Sequence, residues 1–148
     1  MVMTNEEVRA RMNRFAPPTA KLLGTELLAV DQDAGTVRMA FTVGDGLSNP
    51  NGTVQGGIVA AMLDDAAAYA AIVFSKRKIF VPTLEMKVSF FRPVPAGRLY
   101  ANGRSVKFGK TIAFMEADLV TEDDTLLARL SATGAPRDLK NPKLVERT

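Results

Sequence analysis

The stretch Asn49-Pro50-Asn51-Gly52-Thr53-Val54-Gln55-Gly56-Gly57, followed by Ile58 to Leu63 and then Asp64-Asp65, holds residues whose types and spacing suit chemistry. Two glycines at a helix start leave backbone N–H groups with no side chain over them. Those groups and the helix dipole favour negative charge. They therefore suit a carbonyl that is to become an oxyanion. A carboxylate on the same helix can serve as a nucleophile or as a base for water. Gly56 and Asp64 are eight positions apart, roughly 12 Å along a helix axis. The lean of side chains toward the N-terminus recovers only part of that distance. The spacing argues against one carbonyl touching both groups of a single chain. Two such helices, antiparallel about a two-fold axis, would bring Gly56 of one chain near Asp64 of the other. The expectation is a composite site at a symmetric dimer interface.

The residues alone leave a plainly structural reading open, in which the glycines make a tight helix start and the aspartates are solvated or paired. Asp64 and Asp65, however, sit inside an apolar helix and point about 100° apart. Both cannot share one central solvent stripe, so at least one is expected to line a cleft.

Composition narrows the chemistry. The chain of 148 residues has no histidine and no cysteine. Serine–histidine and cysteine–histidine nucleophile systems are excluded, as are histidine bases and histidine- or cysteine-ligated zinc. Carboxylates are left as the main acid–base groups; no cofactor or metal is expected. The net charge of +3 comes without any long run of like charge, the densest cluster being Lys76-Arg77-Lys78. That pattern does not indicate nucleic acid, and it serves an anionic small molecule equally well. Met1 to Phe15 is polar and charged, unlike a signal peptide. The longest apolar stretch, Ile58 to Phe74, carries two aspartates at its middle, which argues against a membrane span. The absence of cysteine fits a reducing compartment, and a cytoplasmic location is expected.

The elements that must position these residues follow from periodicity. Asn5 to Phe15 reads as an amphipathic helix capped by Thr4 or Asn5 and ended by Pro17-Pro18. Thr19 to Leu23 is one more turn before Gly24. Glu26 to Val30 and Thr36 to Val43 read as strands around a turn at Asp31 to Gly35. Gly44 to Thr53 is a loop. About Gly56 to Lys76 is one long helix, Ala-rich and apolar nearly all round, hence expected to be buried on most sides. Thr83 to Phe91, Arg98 to Phe108, Thr111 to Thr121 and Leu126 to Gly134 are four further strands. In the first of them Leu84, Met86, Val88 and Phe90 share one face, and parity puts Thr83 in the polar row with Glu85 and Lys87. Consecutive hairpins and a single apolar helix imply an antiparallel α+β domain, its sheet curled around that helix. One domain spans 1–148, with a core of about 20–135 and a polar tail expected to fray.

Gln55-Gly56-Gly57, six residues and then Asp64, with Asn49 six positions before Gln55, resembles the signature of PaaI-like hotdog thioesterases. The likeness runs on through Thr83 to Pro93 and Gly97, then Gly109 to Phe114, covering roughly residues 20 to 135. It implies a hotdog fold, a sheet of five or six strands around one central helix. It also implies hydrolysis of an acyl-CoA to a free acid and CoA by a dimer or dimer of dimers. In that reading Asp64 is the nucleophile or general base. The Gly56 N–H polarises the thioester carbonyl with help from Asn49. Thr83 assists water from the chain that supplies Asp64. Gln55 stands where the family usually has His, and its amide is still a hydrogen-bond donor. Gly57 and Asp65 fall with the substrate-binding residues. Arg92, Lys107 and Lys110 are candidates for the CoA phosphates, and Met62, Tyr69, Phe74 and Phe91 for an apolar lining. Hotdog dehydratases need a histidine that this chain lacks. A non-catalytic acyl-CoA-binding or regulatory module is the alternative.

Overall fold

The computed structural model describes residues 2–147. Helix α1, Asn5–Arg14, is closed at its start by a capping box between Thr4 and Glu7, which satisfies two otherwise orphan amides. A one-turn helix α2, Thr19–Leu23, stops at Gly24 in the left-handed region. Strands β1, Glu26–Asp31, and β2, Thr36–Val43, form the first hairpin. The long helix α3 spans Gly56–Ser75. Strands β3, Thr83–Phe90; β4, Gly97–Phe108; β5, Ala113–Val120; and β6, Leu126–Gly134 follow. They join in one six-stranded antiparallel sheet of order β1-β2-β4-β5-β6-β3. This is the hotdog architecture that the resemblance implied.

The sheet packs on α3 through Val59, Met62, Leu63, Ala66, Ala67, Ala70 and Ala71, all buried. Burial of such a face is the main favourable term in the fold. By length and composition α3 could also cross a membrane, but its apolar face is the one spent on the sheet. The helix is less enclosed than its composition predicts. Ala61, Asp64, Asp65, Ala68 and Ile72, on the side away from the sheet, are only partly covered, because six strands wrap one side of the cylinder.

Small residues allow the close approach. A Cβ on Gly103 of β4 would lie 2.1 Å from the Ala66 carbonyl oxygen of α3. No side-chain rotation relieves a clash with backbone. Gly103→Ala is expected to lower unfolding free energy by about 3 kcal/mol, at the upper end of overpacking costs, read from urea denaturation. An unchanged midpoint would mean that helix and sheet separate cheaply.

The two sheet edges differ. Along β1 lies α1, and the Asn13 side chain bonds both Leu27 N and Leu27 O at 2.8 Å. Asn5 likewise bonds the backbone and side chain of Gln32. Among the described residues the other edge, β3, is paired only with β6. The C-terminal tail is largely exposed, as its polarity implies. Instead of fraying throughout, it is tied down by two short ladders, Arg137–Asp138 on Ile79–Phe80 and Val145–Glu146 on Phe15–Ala16.

Candidate active site

The start of α3 is arranged by its loop. Asn49 accepts from Asn51 N and Thr53 N and donates to Thr53 Oγ1 at 2.8 Å. Its amide organises the turn that delivers the chain to the helix. Gln55 N donates to Leu47 O, and Val54 N to Val94 O. Gln55 is the N-cap, its Oε1 accepting from Ile58 N at 3.2 Å. The side chain folds back over Gly57, where a Cβ would sit 2.9 Å from Gln55 Oε1. Glycine is therefore needed at 57 for glutamine to cap in this way. Among the described residues Gln55 Nε2, Gly56 N and Gly57 N have no hydrogen-bond partner. The helix start thus presents free donors on a positive dipole end, which suits a carbonyl oxygen gaining charge.

The carboxylate half lies two turns further along. Asp64 Oδ1 accepts from Thr83 Oγ1 at 2.6 Å. Parity alone puts Thr83 in the polar row of its strand; the structure instead turns it toward the helix. Thr83 pairs with Gly134, while Glu85 pairs with Thr133, so a bulge falls at Leu84. The extra residue flips parity. Thr83 joins Met86, Val88 and Phe90 on the helix side, and Glu85 and Lys87 stay outside.

Asp65 has a different setting. Burial, and then the neighbouring Asp64 charge, push its carboxyl up to about 7. Tyr69, one turn on, is pushed up to about 12, chiefly by burial and then by the Asp65 charge, against the Arg147 cation. Among the described residues Asp65 has no hydrogen-bonding or ion-pair partner comparable to Thr83 on Asp64. Two adjacent carboxyls in unlike surroundings suit unlike roles.

The remaining candidates separate. Arg92 lies past the end of β3, its backbone N on Leu127 O and its guanidinium 3.4 Å from Leu126 O. Lys107 pairs with Phe114, which pairs with Thr133. From Leu127 to Thr133 is about 20 Å along β6 at strand rise. Lys107 and the Lys110 turn are therefore at the opposite end of the sheet from Arg92. In the nearby cluster Lys76 pairs with Asp33 and Arg77 with Asp138. Met62 is fully buried against the sheet, and Phe74 packs on Phe108 with ring centroids 6.0 Å apart. Neither lines an opening at the helix start. Phe91 remains exposed beside Phe90 there. The alternation places Phe90 on one face with Leu84, Met86 and Val88, and nothing in it marks the ring as half-exposed on an edge.

Residues 51–128 match the thioesterase superfamily. A protein of Saccharolobus solfataricus described as a candidate esterase is 27% identical over 101 residues, 68% of this chain and 67% of that one. A solved structure from Ralstonia eutropha, described as a candidate thioesterase and phenylacetic acid degradation-related protein, is 33% identical with a TM-score of 0.76. The match covers 81% of this chain and 90% of that one. The Escherichia coli PaaI protein from the phenylacetic acid degradation operon, 22% identical, shares the fold with a TM-score of 0.73 over 82% of this chain and 85% of its own.

Proposed function

The chain belongs to the thioesterase superfamily, as a PaaI-like hotdog protein, and from that premise we propose that it hydrolyses an acyl-CoA thioester to a free acid and CoA. The observation that carries this reading is the 2.6 Å hydrogen bond from Thr83 to Asp64, on the same helix as the free amides of Gly56 and Gly57. The carbonyl oxygen sits on the Gly56 N–H, with Gln55 Nε2 beside it. Thr83 donates to Asp64 and keeps its lone pairs for a water. Asp64 either takes a proton from that water as it attacks, or attacks the carbonyl itself and is released by water. In both routes the C–S bond breaks, water supplies the acid's new oxygen, and the thiolate leaves as CoA.

A carbonyl on Gly56 of one subunit meets Asp64 of the partner subunit. The roughly 12 Å axial gap within one chain supports that division. So does the inequality of the sheet edges: α1 covers β1, while the outer edge of β3 has no partner strand among the described residues, and Met86 and Phe90 on its helix side are exposed. Edge-to-edge pairing of β3 with its copy satisfies the backbone groups of that edge. Asp65 lies on the neighbouring face of the same helix, and Arg92 is the basic candidate on the helix-start side. Lys107 and Lys110, at the far end, meet a CoA phosphate held at this site only across the subunit boundary.

Release of CoA thiol from a panel of acyl-CoAs, together with sedimentation, tests the proposal. The wild type is expected to turn over and to sediment as a dimer or larger. Met86→Lys, which places a charge in the edge pairing, is expected to be monomeric and inactive. Acyl-CoA binding without hydrolysis by the wild type would leave a binding module. An active monomer would end the shared-site reading.

A further inference from the structure

The helix start carries an aromatic wall that the mechanism above does not use. Phe90 ends β3, faces the helix side opposite Ala128, and is 53% exposed although it belongs to the inward row. Its ring tip lies over Gly56. Cζ and Cε1 are 3.5 and 3.7 Å from the point that a Cβ on Gly56 would occupy. Beyond the helix's own neighbouring backbone and the adjoining residues, no other described atom comes within 4 Å of that point. The space beside the donor amide is therefore bounded on that side by the rim of one phenyl ring.

We propose that Phe90 is a specificity-determining residue, a wall that admits acyl groups unbranched next to the thioester carbonyl and turns away those carrying a substituent there. The proposal rests on the thioesterase reading of the same site. A carbonyl oxygen held at hydrogen-bond distance from Gly56 N brings the carbonyl carbon and its neighbour against the ring rim. A methyl on that neighbour competes for the same volume. The rim is also the positive part of an aromatic ring's quadrupole, so it tolerates an oxygen gaining charge beside it. Leucine at 90 keeps bulk without that polarity, and alanine keeps neither.

The test compares butanoyl-CoA with 2-methylpropanoyl-CoA, which have the same atoms and differ only in branching, on wild type, Phe90→Leu and Phe90→Ala. One misplaced methyl in an apolar site is worth about 10- to 200-fold. The wild type is expected to favour the linear acyl by at least about tenfold in kcat/KM. Phe90→Ala is expected to bring the ratio to near unity, and Phe90→Leu to fall between. A wild-type ratio near one, or a ratio unchanged in both variants, overturns the proposal. If the wild type hydrolyses neither compound, the panel of acyl-CoAs above decides the thioesterase reading. Calorimetric binding of the same two compounds then decides for Phe90: a linear preference in Kd lost in Phe90→Ala sustains the wall, and equal preferences in both proteins overturn it.

Discussion

Asp64→Asn is expected to lower kcat for the proposed acyl-CoA hydrolysis by about 10²- to 10⁴-fold, the usual worth of a positioned acid–base group, and to leave acyl-CoA binding close to wild type. Amide and carboxylate have nearly the same shape, so the helix, the bulge and the free amides at the helix start all persist. What is lost is the ability to accept a proton or to attack a carbonyl. Asp65→Asn is expected to keep the greater part of turnover, because Asp65 lacks the Thr83 partner and its charge acts on Tyr69 instead. Thr83→Val, which removes the 2.6 Å bond at constant volume, falls between them. A thiol-detecting reagent reads all three cleanly, since the chain has no cysteine of its own. Equal losses in Asp64→Asn and Asp65→Asn would refute the assignment of one reacting carboxylate.

Asp65 governs a different quantity, the dependence of stability on pH. Its carboxyl is pushed from 3.8 up to about 7, first by burial and then by the Asp64 charge. The folded chain keeps this proton in a range where the unfolded chain has already released it. The native state therefore binds more protons between about pH 4 and pH 7, and stability falls as pH rises through that window. Below it both states are protonated and above it both are ionised, so the contribution is level at either end. The slope is about 1.4 kcal/mol per pH unit inside the window. Between pH 5 and pH 8 the effect amounts to roughly 3 kcal/mol. Asp65→Asn cannot ionise and removes this component. Urea denaturation of both proteins at the two pH values is expected to show the variant gaining on the wild type as pH rises. Parallel behaviour would place Asp65 in water. Tyr69, pushed up to about 12, does not titrate in this range and leaves the comparison clean.

The sequence carries the fold through its periodicities. Alternation in Thr36 to Val43 and the Ala-rich run after Gly57 are local signals, and the strands and α3 appear within a residue or two of where those signals put them. Asp64 and the helix-start glycines are legible because they belong to one continuous segment. Thr83 is not legible from alternation, since its direction depends on where β3 pairs with β6, and a bulge leaves no mark in the spacing of one strand. Phe90 is obscured for a related reason. Its place in the apolar row is visible, but whether that row is roofed depends on β3 lying at the edge of the sheet. The distance between Arg92 and Lys107 likewise follows from register across three strands. The partial exposure of α3 is hidden in the sequence because apolar composition does not tell how many sides of a helix its own chain covers.

The amide of Asn13, bonded to both backbone groups of Leu27, gives the sheet a blunt end and a live end. In the language of polymer chemistry, the proposed edge pairing would make the molecule a monofunctional monomer. Each copy would have one strand edge with valence to spare, so joining two copies through it would use up the reactive ends and growth would stop. A chain with both edges open would be bifunctional and could extend into a ribbon without limit. On the proposed pairing, the contacts of Asn13 and Asn5 on α1 would set a ceiling on assembly along the sheet from the edge opposite the open one.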